Sequence, residues 1–137
     1  MEIKSKLKKN KKLRQRGRQV NFEIREELIK LLDVSNYRRD HLIEYLHVIQ
    51  DNKGHINDEF MAALANLLGI SQTEVYEVAT FYHHFDVITN DQTVPPKLTI
   101  RVCDSVSCEL NGANELAQNL DDYYKGTVRI QKVPCIG

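Results

Sequence analysis

The sequence predicts an α+β chain: a helical bundle first, then a smaller β–α–β unit. Three observations point there. Apolar residues recur at helical spacing through most of residues 21–88. Pro95-Pro96 and the polar stretch before them break that pattern. Beyond them, two β-branched runs bracket one amphipathic segment.

The expected elements follow in order. Phe22, Ile24, Leu28, Ile29, Leu31 and Leu32 mark a short amphipathic helix. A second covers Tyr37 to Gln50, with Leu42, Leu46 and Ile49 on one stripe, Ile43 widening it, and Gly54 as a left-handed terminator. A third starts near Asn57 or Asp58, buries Met61, Leu64, Leu67 and Leu68, and ends at Gly69. Ser71 and Glu74 form an S-x-x-E capping box for a fourth, which carries Val75, Val78, Ala79 and Tyr82 on one face and is expected to run into Phe81–Phe85. Asp86 to Pro96 reads as a loop. Leu98–Val102 and Thr127–Val133 read as strands, separated by a helix over Asn114–Tyr124 that turns Leu116, Leu120 and Tyr123 or Tyr124 inward. That order implies a parallel strand pair with a crossover.

Charge is unevenly spread. Residues 1–18 hold nine Lys or Arg against Glu2 alone, for a net +8, and the rest of the chain carries −8. Residues 1–20 therefore read as a basic, disordered arm, either a solvated tail, an electrostatic binder of anionic surfaces, or a dock for an acidic partner. The acidic body argues against nucleic acid as a partner. With no apolar run long enough to span a bilayer and no secretory signal, the expected location is cytoplasmic, with no membrane-spanning segment. Three cysteines leave one over from any internal disulfide, which favours reduced thiols or metal ligation.

Those cysteines carry the chemistry. Cys103 follows the first predicted strand, Cys108 lies in the loop after it as C-x₄-C, and Cys135 follows the second strand. In a parallel β–α–β unit both strand ends lie on one edge, where open α/β sheets bind ligands. Thiolates suit an iron–sulfur cluster or zinc. Zinc would draw on His83 or His84 as a further ligand, although that pair stands in an aromatic stretch suited to packing or an interface. The remaining alternative is that the cysteines are small buried hydrophobes. There is no C-x-x-C, nucleophile–base pair, P-loop or dinucleotide fingerprint, so no complete active site is expected within the chain. Asp104, Ser105 and Ser107 read equally as modulators of a cluster or as turn formers, and Arg101 as cluster electrostatics or a solvated strand position.

The segments Leu42–Gly54 (LIEYLHVIQDNKG), Glu74–Phe85 (EVYEVATFYHHF), Ile100–Gly112 (IRVCDSVSCELNG) and Val133–Gly137 (VPCIG) together resemble the thioredoxin-like [2Fe–2S] subunit of NADH dehydrogenases, the 24 kDa subunit of respiratory complex I, and its relatives in NAD-linked formate dehydrogenases and hydrogenases. The resemblance covers roughly residues 25–137. It implies a helical bundle over 21–88 and a partial thioredoxin-like [2Fe–2S] domain over 97–137. It also implies a cluster held by four cysteines spaced C-x₄-C and C-x₃-C. Cys103, Cys108 and Cys135 match three of them; the fourth is expected two positions past Gly137, so the chain reads as C-terminally truncated. The runs VCDSVSCEL and HHFDVI lean toward the N-terminal module of a fused formate dehydrogenase β subunit, with the complex I subunit as the alternative. The function implied by the resemblance is that of an electron-transfer module of an NAD-dependent oxidoreductase, with FMN and NAD on a partner subunit or fused domain. A zinc-stabilised or metal-free docking module is the competing class.

Overall fold

The computed structural model describes residues 17–89 and 92–135. Residues 1–16 of the basic arm lie outside that range, and Arg18 at its end is anchored. The Arg18 amide donates to Gln72 Oε1 at 2.9 Å, its carbonyl accepts from Gln72 Nε2 at 2.7 Å, and its guanidinium pairs with Asp58 at 3.1 Å.

The helical part runs α1 (Phe22–Leu32), a 3₁₀ turn (Arg39–His41), α2 (Leu42–Lys53), β1 (Ile56–Asn57), α3 (Asp58–Leu68), α4 (Gln72–Phe81) and β2 (Val87–Ile88). Local chemistry sets the ends. Asn21, Asn57 and Ser71 each place a side-chain oxygen on a free amide of the first turn, at 3.0, 2.8 and 3.1 Å. Gly54 (φ 74°) and Gly69 (φ 67°) adopt the left-handed conformation that closes α2 and α3. The capping box of α4 is half made: Ser71 caps Glu74, and the Glu74 carboxylate pairs with Arg39.

Burial is concentrated here. Leu28, Leu46, Ile49, Ile56, Leu64 and Val75 are fully enclosed, and Tyr45, Phe60, Met61 and Phe85 join them in one apolar cluster. α3 is buried on more than one side, through Phe60, Ala62, Ala63 and Ala65 as well as Met61 and Leu64. Leu67 and Leu68, expected inside, are only partly covered.

Two readings of this part are corrected. The second helix does not begin at Tyr37; a 3₁₀ turn precedes it, with Arg38 extended. The fourth helix does not run to Phe85. Tyr82 is extended (φ −94°, ψ 121°), and the chain turns so that Phe85 drops into the core while Phe81 stays outside. Burying Phe85 and pairing β2 with β1 both need that reversal. The β1–β2 pairing is parallel, Ile56 opposite Val87, and two-residue strands leave no periodicity to read.

The second part holds β3 (Thr99–Cys103), α5 (Val106–Leu110), α6 (Ala113–Tyr124) and β4 (Arg129–Val133). β3 and β4 pair in parallel, with Thr99 opposite Arg129 and Cys103 opposite Val133. The fold is α+β, as predicted. The inward face of α6 differs from expectation. Ala117 is its buried residue, with Leu120 and Tyr124 half-buried, whereas Leu116 is 53% exposed and Tyr123 exposed too. Ala117, Val102 and Val128 are the buried apolar residues of this part, and a small residue at 117 allows a close helix–sheet approach with Leu116 turned out.

Candidate metal centre

The cysteine edge is built by the ladder. The last residue of β3 is Cys103, and the next amide, that of Asp104, donates to the Val133 carbonyl at 3.0 Å, so pairing continues past the strand end. Cys135 follows two residues after Val133. Cys108 sits in α5, a single short helix where the sequence suggested an irregular loop. The Glu109 amide bonds to the Ser105 carbonyl at 2.9 Å and the Asn111 amide to the Cys108 carbonyl at 3.1 Å. Asn111 Nδ2 also donates to the Ser107 carbonyl at 2.6 Å. A chain of side chains then fixes this turn to the sheet: Lys132 Nζ donates to Asn114 Oδ1 at 2.6 Å, and Asn114 Nδ2 to Glu109 Oε1 at 3.3 Å.

All three thiols are free; those of Cys103 and Cys108 are half-covered and that of Cys135 is exposed. Cys103 differs from an ordinary thiol in one respect. Its acidity is raised, so its pKa lies below that of an ordinary thiol. The Ser105 hydroxyl contributes most, then the Ser105 backbone amide, then the Cys108 thiol. Partial burial works the other way, and the Cys135 thiol adds a last, smaller contribution.

Ser105 explains part of this locally. It is the N-cap residue of α5, yet its hydroxyl makes no cap bond. It lies 3.4 Å from Cys103 Sγ instead. A hydroxyl placed there donates to a thiolate, which singles out Ser105 from the polar loop residues as the one acting on a cysteine. Among the described residues, no three Cys, His, Asp or Glu side chains are grouped around a single ion position. A two-iron cluster spreads its four thiolates over two metal atoms, so a donor set of that kind need not converge on one ion position.

The histidines are used otherwise. The His84 ring packs on His47 at 4.7 Å and on Phe85 at 5.4 Å between centroids. The backbone carbonyls of His83 and His84 accept hydrogen bonds from Arg101. No zinc site combining these imidazoles with the cysteines is formed among the described residues. Arg101 is exposed, as a solvated strand position would be, and it also spans from β3 to the turn after α4. Nothing in composition or spacing signals that role, because its acceptors are backbone carbonyls.

Comparison with known proteins bears on this edge. Residues 27–137 match the family described as thioredoxin-like [2Fe–2S] ferredoxin. The chain is 34% identical over 129 residues to the E subunit of NADH-quinone oxidoreductase from Aquifex aeolicus, an alignment that covers 85% of this chain and 78% of that protein. It is 31% identical over 109 residues to NADH-quinone oxidoreductase subunit 2 of Thermus thermophilus, covering 73% of this chain and 58% of that one. With the E subunit of NADH-quinone oxidoreductase from Escherichia coli K12, identity is 37% over 70 residues, 51% of this chain and 39% of the other. The chain thus spans between two-fifths and four-fifths of the length of these relatives.

Proposed function

The chain belongs to the thioredoxin-like [2Fe–2S] ferredoxin family, and from that premise we propose that it is the [2Fe–2S] electron-carrying subunit of an NADH-oxidising complex of the NADH-quinone oxidoreductase type. Cys103, Cys108 and Cys135 are the proposed ligands from this chain, and residues 97–137 the proposed cluster-bearing part. The observation that carries the reading is that β3 and β4 pair in parallel and end together, which puts Cys103 and, two residues past Val133, Cys135 at one edge, with Cys108 in the short helix that follows β3.

Bound there, the cluster supplies reversible one-electron transfer. The chain's own residues do the rest. The β3–β4 ladder sets two thiols on one edge, α5 brings the third, and Ser105 favours the ionised form of Cys103 that a metal requires. The partner proposed is a subunit carrying flavin and binding NAD, and the proposed location is cytoplasmic. Among the described residues no helix is long and apolar enough to cross a membrane. The three relatives are all subunits of NADH-quinone oxidoreductases, which favours this reading over the formate dehydrogenase module that the local motifs suggested.

The test is anaerobic reconstitution of the chain extended so that a cysteine stands two positions beyond Gly137. Visible absorbance and an electron paramagnetic resonance signal on reduction are expected. Cys103→Ser, Cys108→Ser and Cys135→Ser should each abolish or strongly weaken them, oxygen being a poorer match for cluster iron. An extended chain that takes up no iron, or three variants with an unaltered cluster, would overturn the ligand set.

A further inference from the structure

Arg101 stands on β3 two residues before Cys103, on the same side of the strand because side chains alternate. Its Nε donates to the His83 carbonyl at 2.9 Å and its Nη2 to the His84 carbonyl at 3.2 Å. Both acceptors belong to the turn that follows α4.

That turn is a firm abutment. Phe85 is buried, and its amide bonds to the Tyr82 carbonyl at 3.1 Å. The rings of His84 and Phe85 both rest against His47 on α2. Next in the chain, the Asp86 amide donates to Gln50 Oε1 at 2.9 Å, and the Asp86 carbonyl accepts from the Ile56 amide at 2.8 Å. The acceptors of Arg101 are therefore held by the helical core. Arg101, His84 and Pro96 line one surface cleft, and Phe85, Arg129 and Gln131 line a neighbouring one.

We infer that Arg101 is a positioning residue for the cysteine edge: its two-pronged hold on the His83 and His84 carbonyls fixes the end of β3, and with it Cys103, against the helical half. The planar guanidinium suits two carbonyls offered side by side, and an ammonium does not reproduce that fork. What the edge holds rests on the proposed cluster-carrying function; the mechanical role of Arg101 does not.

The experiment compares Arg101→Gln and Arg101→Lys with the parent chain. In the metal-free protein, amide hydrogen exchange is read at Asp104, whose N–H closes the ladder onto Val133 beside Cys103. Exchange there should quicken about tenfold in both variants, the factor that about 1.4 kcal/mol produces, while the amides of α3 keep their rates. In the cluster-loaded, C-terminally extended protein, the electron paramagnetic resonance line shape should change in both variants. Unchanged exchange at Asp104 overturns the inference, as does acceleration spread equally over α3. Full recovery by Lys would assign the effect to charge and overturn it too. A parent protein that takes up no cluster would defeat the proposed function, and the exchange measurement would still decide the role of Arg101.

Discussion

Arg129, the first residue of β4, pairs with the carboxylate of Asp86, the residue that leads into β2. Asp86 Oδ2 also accepts from Gln50 Nε2 at 3.2 Å, and Arg129 Nε donates to Thr99 Oγ1 at 3.0 Å. One ion pair thus joins α2, the β1–β2 pairing and both long strands. The side chains are only 13% (Asp86) and 29% (Arg129) exposed, so water screens them less than a surface pair. A double-mutant cycle with Asp86→Asn and Arg129→Gln should give a coupling of about 1 kcal/mol in urea unfolding. Strictly additive effects would show that the pair does not act as a joint.

Core substitutions should separate the two parts. Leu64 is fully enclosed in α3, and Leu64→Ala should lower unfolding free energy by about 3 kcal/mol. Leu116→Ala should change it by less than about 0.5 kcal/mol, because that side chain faces out. The second result checks the rotation of α6 directly. A Leu116 effect as large as that of Leu64 would restore the face expected from the sequence.

Thiol reactivity should follow the Ser105 contact. The pKa of Cys103 is lowered, so its thiolate appears at lower pH than that of an ordinary cysteine. Alkylation of the metal-free chain by iodoacetamide, followed cysteine by cysteine with mass spectrometry, should show Cys103 reacting with a midpoint shifted to lower pH. Ser105→Ala removes the largest cause and should move that midpoint up. A midpoint unmoved by this change would mean the hydroxyl does not act on the thiol.

The aromatic turn gives a fourth expectation. Phe81 is 74% exposed at the end of α4. Phe81→Ser should leave the urea midpoint nearly unchanged and weaken assembly with the proposed flavin-bearing partner, as size-exclusion co-elution would report. Phe85→Ser should instead destabilise the chain itself, by about 3 kcal/mol or more, since that ring is buried.

How much of this was legible depended on the range of the signal. Caps and terminators are local chemistry, and Asn57, Ser71, Gly54 and Gly69 act where their residue types place them. The cysteine edge was legible because a parallel pair puts both strand ends together whatever the intervening residues do. Three things were not. The end of α4 depends on where Phe85 finds a cavity, which is tertiary. The face of α6 turns on a small residue, Ala117, being preferred over Leu116 at a close approach. The work of Arg101 and Arg129 depends on partners that are at least seventeen residues away along the chain.

The division of buried surface has a kinetic side. The apolar cluster is made from residues between Leu28 and Phe85, so all of its members precede β3 and β4 in the chain and it can form without them. As synthesis proceeds from the N-terminus, that cluster can consolidate before β4 has been made. β3 and β4, thirty residues apart in register, then meet beside a surface where the His83 and His84 carbonyls and the Asp86 carboxylate already stand. The helical half in this way acts as a template on which the later strand pairing is registered. Refolding followed at the two parts should accordingly show helix protection preceding ladder protection, with the lag lengthened by Asp86→Asn.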